Sequence, residues 1–212
     1  MNIDKRTRTL TFLGVMLAIT IIMDLTPLGM IPLPGVSATI THIPAIITGI
    51  ILGPINGLIM GASFGFVSLF HALMRPASPL DPLFINPLLS VLPRIFIGVM
   101  SYYSFVGVRR LLEAVKVKGH TNLTISAVAG GFIGSMTNTV LVLTMMYIIY
   151  GKKILEIVIT EGMFGDGTQL EDIRSWLFGI GISSGIPEAF VAAFLTTVLV
   201  VAYKNVIEKN VN

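Results

Sequence analysis

The chain reads as an all-α integral membrane protein: a bundle of six transmembrane helices, one transmembrane domain over residues 1–212, both termini cytoplasmic. Three observations carry this reading. Of 212 residues, 54% are hydrophobic and only 12% charged, against about 25% charged in an ordinary soluble domain, and mean hydropathy is +0.87. Apolar runs of the ~20 residues needed to cross a bilayer follow one another with short links, leaving no room for a sizeable soluble domain. Finally, Lys5, Arg6, Arg8, Arg109, Arg110, Lys116, Lys118, Lys204 and Lys209 fall in the N-tail, one link and the C-tail. The positive-inside rule puts those three segments in the cytoplasm.

Span 1 is expected over about Thr9–Thr26. It lacks a small-residue cleavage site, so it reads as a span and not as a signal peptide. Gly14 and Ala18 give it a small face, and Asp24 lies near its outer end. The next segment, PLGMIPLPG over 27–35, holds three prolines and two glycines among apolar residues; it suits a lid, with Pro32 near its centre. Span 2 (about Thr39–Leu52) is short and either tilted or re-entrant. Pro54 separates it from span 3 (about Ile55–Leu73), since the residue before a proline leaves the helical region.

Across that hairpin Gly49, Gly53, Gly57, Gly61 and Gly65 recur every fourth residue. Such a stripe lets helix backbones approach closely in lipid. Two readings stand: packing inside the bundle, or a docking face for a second membrane protein that uses Gly57, Gly61 and Gly65 with Gly14 and Ala18.

A proline-rich link at 75–87 precedes span 4 (about Leu88–Val108), which carries Pro93-Arg94 in its first turns. Span 5 (about Leu123–Tyr150) is long and holds Asn138 at mid-span. Residues 151–175 read as a short interfacial helix and a loop ending at Trp176, the single tryptophan, a residue that favours the interface. Span 6 (about Leu177–Tyr203) is interrupted at Gly185-Ile-Pro187-Glu188. The outer loops 27–38, 74–87 and 151–175 are the long ones, so function is expected on the outer face.

Several chemistries are excluded or weakened. Cysteine is absent, which removes disulfides, Cys-based metal sites and thiol nucleophiles. No metal or cofactor is expected. The formal charge of +3 reflects loop asymmetry and not a nucleic-acid patch. No phosphate-binding loop occurs, so any ATP hydrolysis belongs to another subunit. Gly61-Ala-Ser63-Phe-Gly65 matches the G-x-S-x-G elbow, but that elbow needs a strand-to-helix turn, and Ser63 lies in an apolar helix. An intramembrane hydrolase using Ser63 and an ion-coupled secondary transporter remain as alternatives; the latter lacks an obvious inverted repeat.

Ionisable groups at membrane depth are functional candidates. Arg94 suits bidentate recognition of a carboxylate or phosphate, or snorkelling, or pairing with Asp81. Glu188 is a ligand group or a partner for Arg94. Asn138 both donates and accepts. His71 and Asn86 border the outer cavity or cap helices.

Six spans in about 200 residues, the THIPAIITGIILGPINGLIMGASFG hairpin, the NPLLSVLPRIFIG start of span 4 and the late PEAF segment resemble one family across nearly the whole chain. That family is the substrate-binding S components of energy-coupling-factor (ECF) vitamin transporters, nearest the pantothenate and pyridoxine types. Gly14-xxx-Ala18 resembles its alanine-xxx-alanine motif, with glycine in first place. The resemblance implies a vitamin pocket open to the outside, built from the outer ends of spans 4–6 and the outer loops under a lid after span 1. It implies docking through spans 1–3 on a membrane-embedded T component joined to two ATPase subunits, in a prokaryotic plasma membrane. ATP-driven toppling would then release the vitamin inside. The residues expected to hold the substrate are Arg94, Asn138, Glu188, Asn86, Trp176, His71 and Pro32. Arg94 favours an anionic vitamin such as pantothenate, whereas pyridoxine would use stacking on Trp176, Tyr147 or Phe84.

Overall fold

The computed structural model describes residues 5–33, 36–76, 78–165 and 167–209. Its helices are α1 (Lys5–Leu25), α2 (Ile43–Leu52), α3 (Pro54–Met74), α4 (Pro87–Ser90), α5 (Leu92–Ala114), α6 (Gly119–Thr160), α7 (Leu170–Ile180) and α8 (Ile186–Lys209). Five stretches among the described residues are long and apolar enough to cross a membrane: α1, α3, α4 with α5, α6, and α7 with α8. The second expected span is different. At ten residues and 1.5 Å per residue, α2 reaches only about 15 Å, half the hydrocarbon layer.

This short helix is the centre of the bundle. Its residues Ile43 to Ile50 are all buried. Ile43, Ile46, Ile47 and Ile50 pack with Met60 and Phe64 of α3, Ile97 and Phe105 of α5, Ala127 of α6, and Ala192 and Val200 of α8. A helix apolar on every side belongs in a core, and α2 is enclosed by the long helices.

The glycine stripe sets how closely the helices approach. A Cβ on Gly49 would collide with the Gly98 carbonyl, and one on Gly98 would lie 2.6 Å from the Gly57 Cα. Gly61 and Gly65 lie against the Arg94 carbonyl and Val91. So Gly57 and Gly61 face α5 of their own chain and Gly65 the α4–α5 junction, which is the packing reading of the stripe. By contrast, Gly14 has nothing within 4 Å of a Cβ position, and both it and Ala18 are exposed.

Between α1 and α2 the chain makes a 3-10 turn (Pro27–Gly29) and an antiparallel hairpin, β1 (Met30–Leu33) with β2 (Val36–Thr39). Met30 faces Thr39, and Pro32 faces Ser37. The expected loop is therefore a hairpin; Pro34 and Gly35 lie outside the described residues. Its ladder continues where the Ile40 N–H donates to the Gly29 carbonyl at 2.9 Å.

Two prolines shape the remaining helices. Pro93 offsets α4 from α5 at Val91, and Pro187 is preceded by a π turn over Gly181–Gly185. A π turn absorbs the bond that proline cannot make, so the expected interruption becomes a continuous helical path from α7 into α8. The interfacial helix expected over 151–175 is also revised. Here α6 runs on to Thr160, 42 residues in all and about 63 Å long, twice the hydrocarbon thickness. Its projecting end packs Val142, Met146, Ile154 and Val158 on Leu83, Leu89, Ile173 and Leu177, forming a second apolar cluster beyond the first.

Gly98→Val should lower the melting temperature in detergent sharply, the overpacking costing about 1–3 kcal/mol or more, whereas Gly14→Val should leave it unchanged. Equal melting of the two variants would overturn the close approach.

Candidate functional site

The site begins with Pro93. Having no N–H, it leaves the carbonyl of Leu89, four residues earlier, without its helical donor. The Arg94 guanidinium supplies one: Nη1 donates to the Leu89 carbonyl at 2.6 Å. Gly61, one helix away, admits the Arg94 backbone. The Pro-Arg pair and the glycine stripe thus place one cation jointly.

Arg94 is 7% exposed. Nη2 makes a 3.5 Å contact to the Ser68 hydroxyl, and the guanidinium lies 5.0 Å from the Phe84 ring centre and 5.8 Å from that of Phe64. Nε is buried without a hydrogen-bond partner, and no carboxylate among the described residues forms an ion pair with Arg94. Two rings and one carbonyl do not neutralise a buried charge.

Arg94 lines a cavity of about 270 Å³ with Asp24, Thr41, Ser68, His71, Asp81 and Phe84. This lies just under the 300–1,000 Å³ usual for small-molecule sites. The acids are engaged elsewhere. The Asp24 carboxylate is 3.0 Å from His71 Nδ1, tying α1 to α3, and Asp81 accepts from the Ser78 N–H and hydroxyl at 2.9 and 3.0 Å. The walls come from the last turns of α1 and α3, the start of α5 and the base of the hairpin.

Of the seven expected substrate residues, Arg94 and His71 line this cavity. Glu188 binds the hairpin: its Oε1 accepts the Thr39 N–H at 3.0 Å, satisfying a donor on an open strand edge, and it forms no ion pair with Arg94. Asn138 sits on α6 with its Oδ1 buried and unpartnered. Asn86 caps α4 by accepting the Leu88 N–H at 3.0 Å and donates to the Tyr150 hydroxyl at 2.8 Å, so it takes the capping alternative. Trp176 packs edge-on to Phe164, ring centres 5.7 Å apart, and Tyr147 lines a groove between α6 and α7. Pro32 is in β1.

Sequence reasoning missed three contributors. Ser68 and Thr41 gave no signal, being ordinary polar residues near helix ends. Asp24 was visible, but its pairing with His71, 47 residues away, was not. His42 and Ser135 share a buried hydrogen bond at 3.0 Å that pins the start of α2 to α6. Ser63 donates to the Ile59 carbonyl at 2.9 Å inside α3, the ordinary back-bond of a helical serine.

Residues 8–200 match the family model for the ECF transporter, substrate-specific component, and the chain belongs to that family. It is 28% identical over 185 residues to the pantothenic acid transporter PanT of Lactococcus lactis subsp. cremoris, covering 81% of this chain and 79% of that protein. It is 31% identical over 107 residues to the pantothenate transporter PanT of Leuconostoc mesenteroides subsp. mesenteroides, covering 48% and 52% respectively. The family is one of transport components and not of enzymes, so the Ser63 hydrolase alternative falls.

Removing the Glu188 carboxylate should loosen the hairpin. Glu188→Ala should speed limited proteolysis within residues 30–39 about tenfold or more, the loss expected for a bond to a charged acceptor, with Glu188→Gln milder. Equal cleavage rates in the wild type and both variants would show that Glu188 does not hold the hairpin.

Proposed function

We propose that this S component binds pantothenate at its outer face and delivers it through a membrane-embedded T component and two ATPase subunits in a prokaryotic plasma membrane. The observation that carries the substrate is a buried guanidinium with an unpartnered Nε that forms no ion pair with a carboxylate among the described residues. A ligand carboxylate provides the missing charge and can engage a guanidinium at two points. Pantothenate also has hydroxyls and an amide, which suit Thr41, Ser68 and His71 around the same cavity. The names of the two relatives agree with an anionic vitamin. Pyridoxine is the second reading: Phe84 lines the cavity, whereas Trp176 and Tyr147 are engaged away from it.

In this reading the hairpin over 30–39 is the lid, held by Glu188. The exposed Gly14–Ala18 face of α1 docks the T component in place of the stripe on α3. The N-tail and C-tail share one end, since Arg8 donates to the Tyr203 hydroxyl at 3.2 Å. The positive-inside rule supports placing that end in the cytoplasm.

Two measurements test the proposal. Calorimetric titration of the purified chain should give tight one-to-one pantothenate binding, weakened at least about thirtyfold by Arg94→Gln, as for truncating a buried charge pair. Undiminished binding in that variant would remove Arg94 from the site, and binding of pyridoxine alone would select the second reading. The double variant Gly14→Leu/Ala18→Leu should keep vitamin binding and lose copurification with the T component; retained assembly would refute docking through α1.

A further inference from the structure

At the end of the bundle opposite Arg94, α5, α6 and α8 enclose a recess of about 570 Å³ lined by Arg109, Glu113, Lys118, His120, Asn122 and Lys204. Arg109 lies fifteen residues beyond Arg94 on α5, about 22 Å along the axis, which puts the recess near the far headgroup layer. Cationic side chains therefore converge there from three helices. Glu113, the one acid in the lining, is 3.3 Å from Arg109 Nε. The Lys204 ammonium stands 5.4 Å from the Phe105 ring centre.

The recess is a built feature. Asn122 is 3% exposed; its amide donates to the Arg109 carbonyl at 3.2 Å and the Val117 carbonyl at 3.1 Å. Its Oδ1 accepts the Ser126 hydroxyl at 3.1 Å. This fixes the end of α5 against the first turn of α6. That turn contains no acid, and its cap residue Lys118 makes no side-chain capping bond. The N–H groups of a 42-residue helix thus add positive potential to the same wall as the cations. Leu123 gives the wall an apolar part.

We propose that this recess binds the phosphate headgroup of an anionic phospholipid from the leaflet at that end, its acyl chains running along the apolar helices. Basic pockets between membrane helices at the headgroup level hold such groups, and the phosphate of a diester matches a guanidinium and two ammonium groups better than a neutral ligand does. The site is separate from the vitamin cavity and needs only that the chain spans a membrane.

The test uses the full chain in mixed micelles of phosphatidylcholine and phosphatidylglycerol. Retained phosphatidylglycerol is counted by native mass spectrometry, and its affinity is read from the thermal shift it produces. Each cation near such a headgroup contributes a factor of about five, so Arg109→Gln/Lys118→Gln should weaken phosphatidylglycerol roughly 25-fold, and Lys118→Gln alone about fivefold. Arg6→Gln/Arg110→Gln, an equal charge loss outside the recess, should change little. An unaltered melting temperature in phosphatidylcholine micelles alone shows that each variant is folded; should the double variant misfold, Lys118→Gln carries the test. Equal weakening in both double variants would mean diffuse surface charge and overturn the site. Equal retention of phosphatidylcholine would overturn the anionic assignment. Inorganic phosphate that binds as tightly as the lipid and displaces it would move the source to a soluble anion. Normal lipid retention with lost T-component assembly would assign the recess to the protein partner instead.

Discussion

The close approach of three backbones at Gly49, Gly57 and Gly98 is the contact on which the rest of the molecule depends. With no side chains between them, α2, α3 and α5 meet backbone to backbone and gain dispersion contacts that lipid cannot replace. That contact holds a helix too short to span in the middle of the bundle. Because α2 fills only about half of the hydrocarbon depth, the half beyond its N-terminal end is left for other groups. The hairpin, the His42–Ser135 pair and the Arg94 cavity occupy that half. Cavity and core are two consequences of one short helix.

Proline then converts missing backbone bonds into features of the site. Pro93 frees the Leu89 carbonyl, and Arg94 takes it; a cation that would otherwise reach for headgroups is held inward. Pro187 is met by a π turn, which carries the helix on without a break and brings Glu188 to the hairpin edge. In both places the residue after the proline is charged and its side chain bonds a backbone group, the Leu89 carbonyl five residues back for Arg94 and the Thr39 N–H across the fold for Glu188. Charge at membrane depth is costly, and these two charges are kept where backbone groups can receive them.

Much of the fold was legible in the sequence because apolar length and glycine spacing are direct statements about lipid. The long helices, the break at Pro54 and the basic end follow from residues that each act locally. Two elements did not. The hairpin over 30–39 is written in prolines and small residues whose pairing depends on the partner strand and on Glu188, 149 residues from Thr39. The true length of α6 was hidden because its end, Gly151 to Thr160, interleaves charged with apolar residues and is fixed by packing Ile154 and Val158 against α7. The candidate site was half legible. Arg94 declared itself as a charge in an apolar run, but the aromatic Trp176 was drawn to Phe164 by tertiary packing that no spacing reveals.

The glycine stripe shows why a motif has to be placed before it is interpreted. A small-residue spacing states only that some backbone comes close, not whose. On α3 that backbone is α5, and Gly61 lies against the residue that supplies the cavity's cation. Enlarging Gly61 would therefore disturb ligand binding and assembly together and could not separate them. On α1 no backbone lies within reach of Gly14, while the last turn of the same helix contributes Met23 and Asp24 to the cavity wall. A partner seated on Gly14 and Ala18 would grip the one long helix whose side chains are almost all outside the core. Its hold on the bundle runs through Asp24 to His71 at one end, through Arg8 and Phe12 to Tyr203 at the other, and through Phe12, Leu13, Met16 and Leu17 against the core between them. If the proposed docking holds, it meets the proposed ligand cavity on α1, and a shift that the partner imposed on that helix would reach the cavity through Asp24.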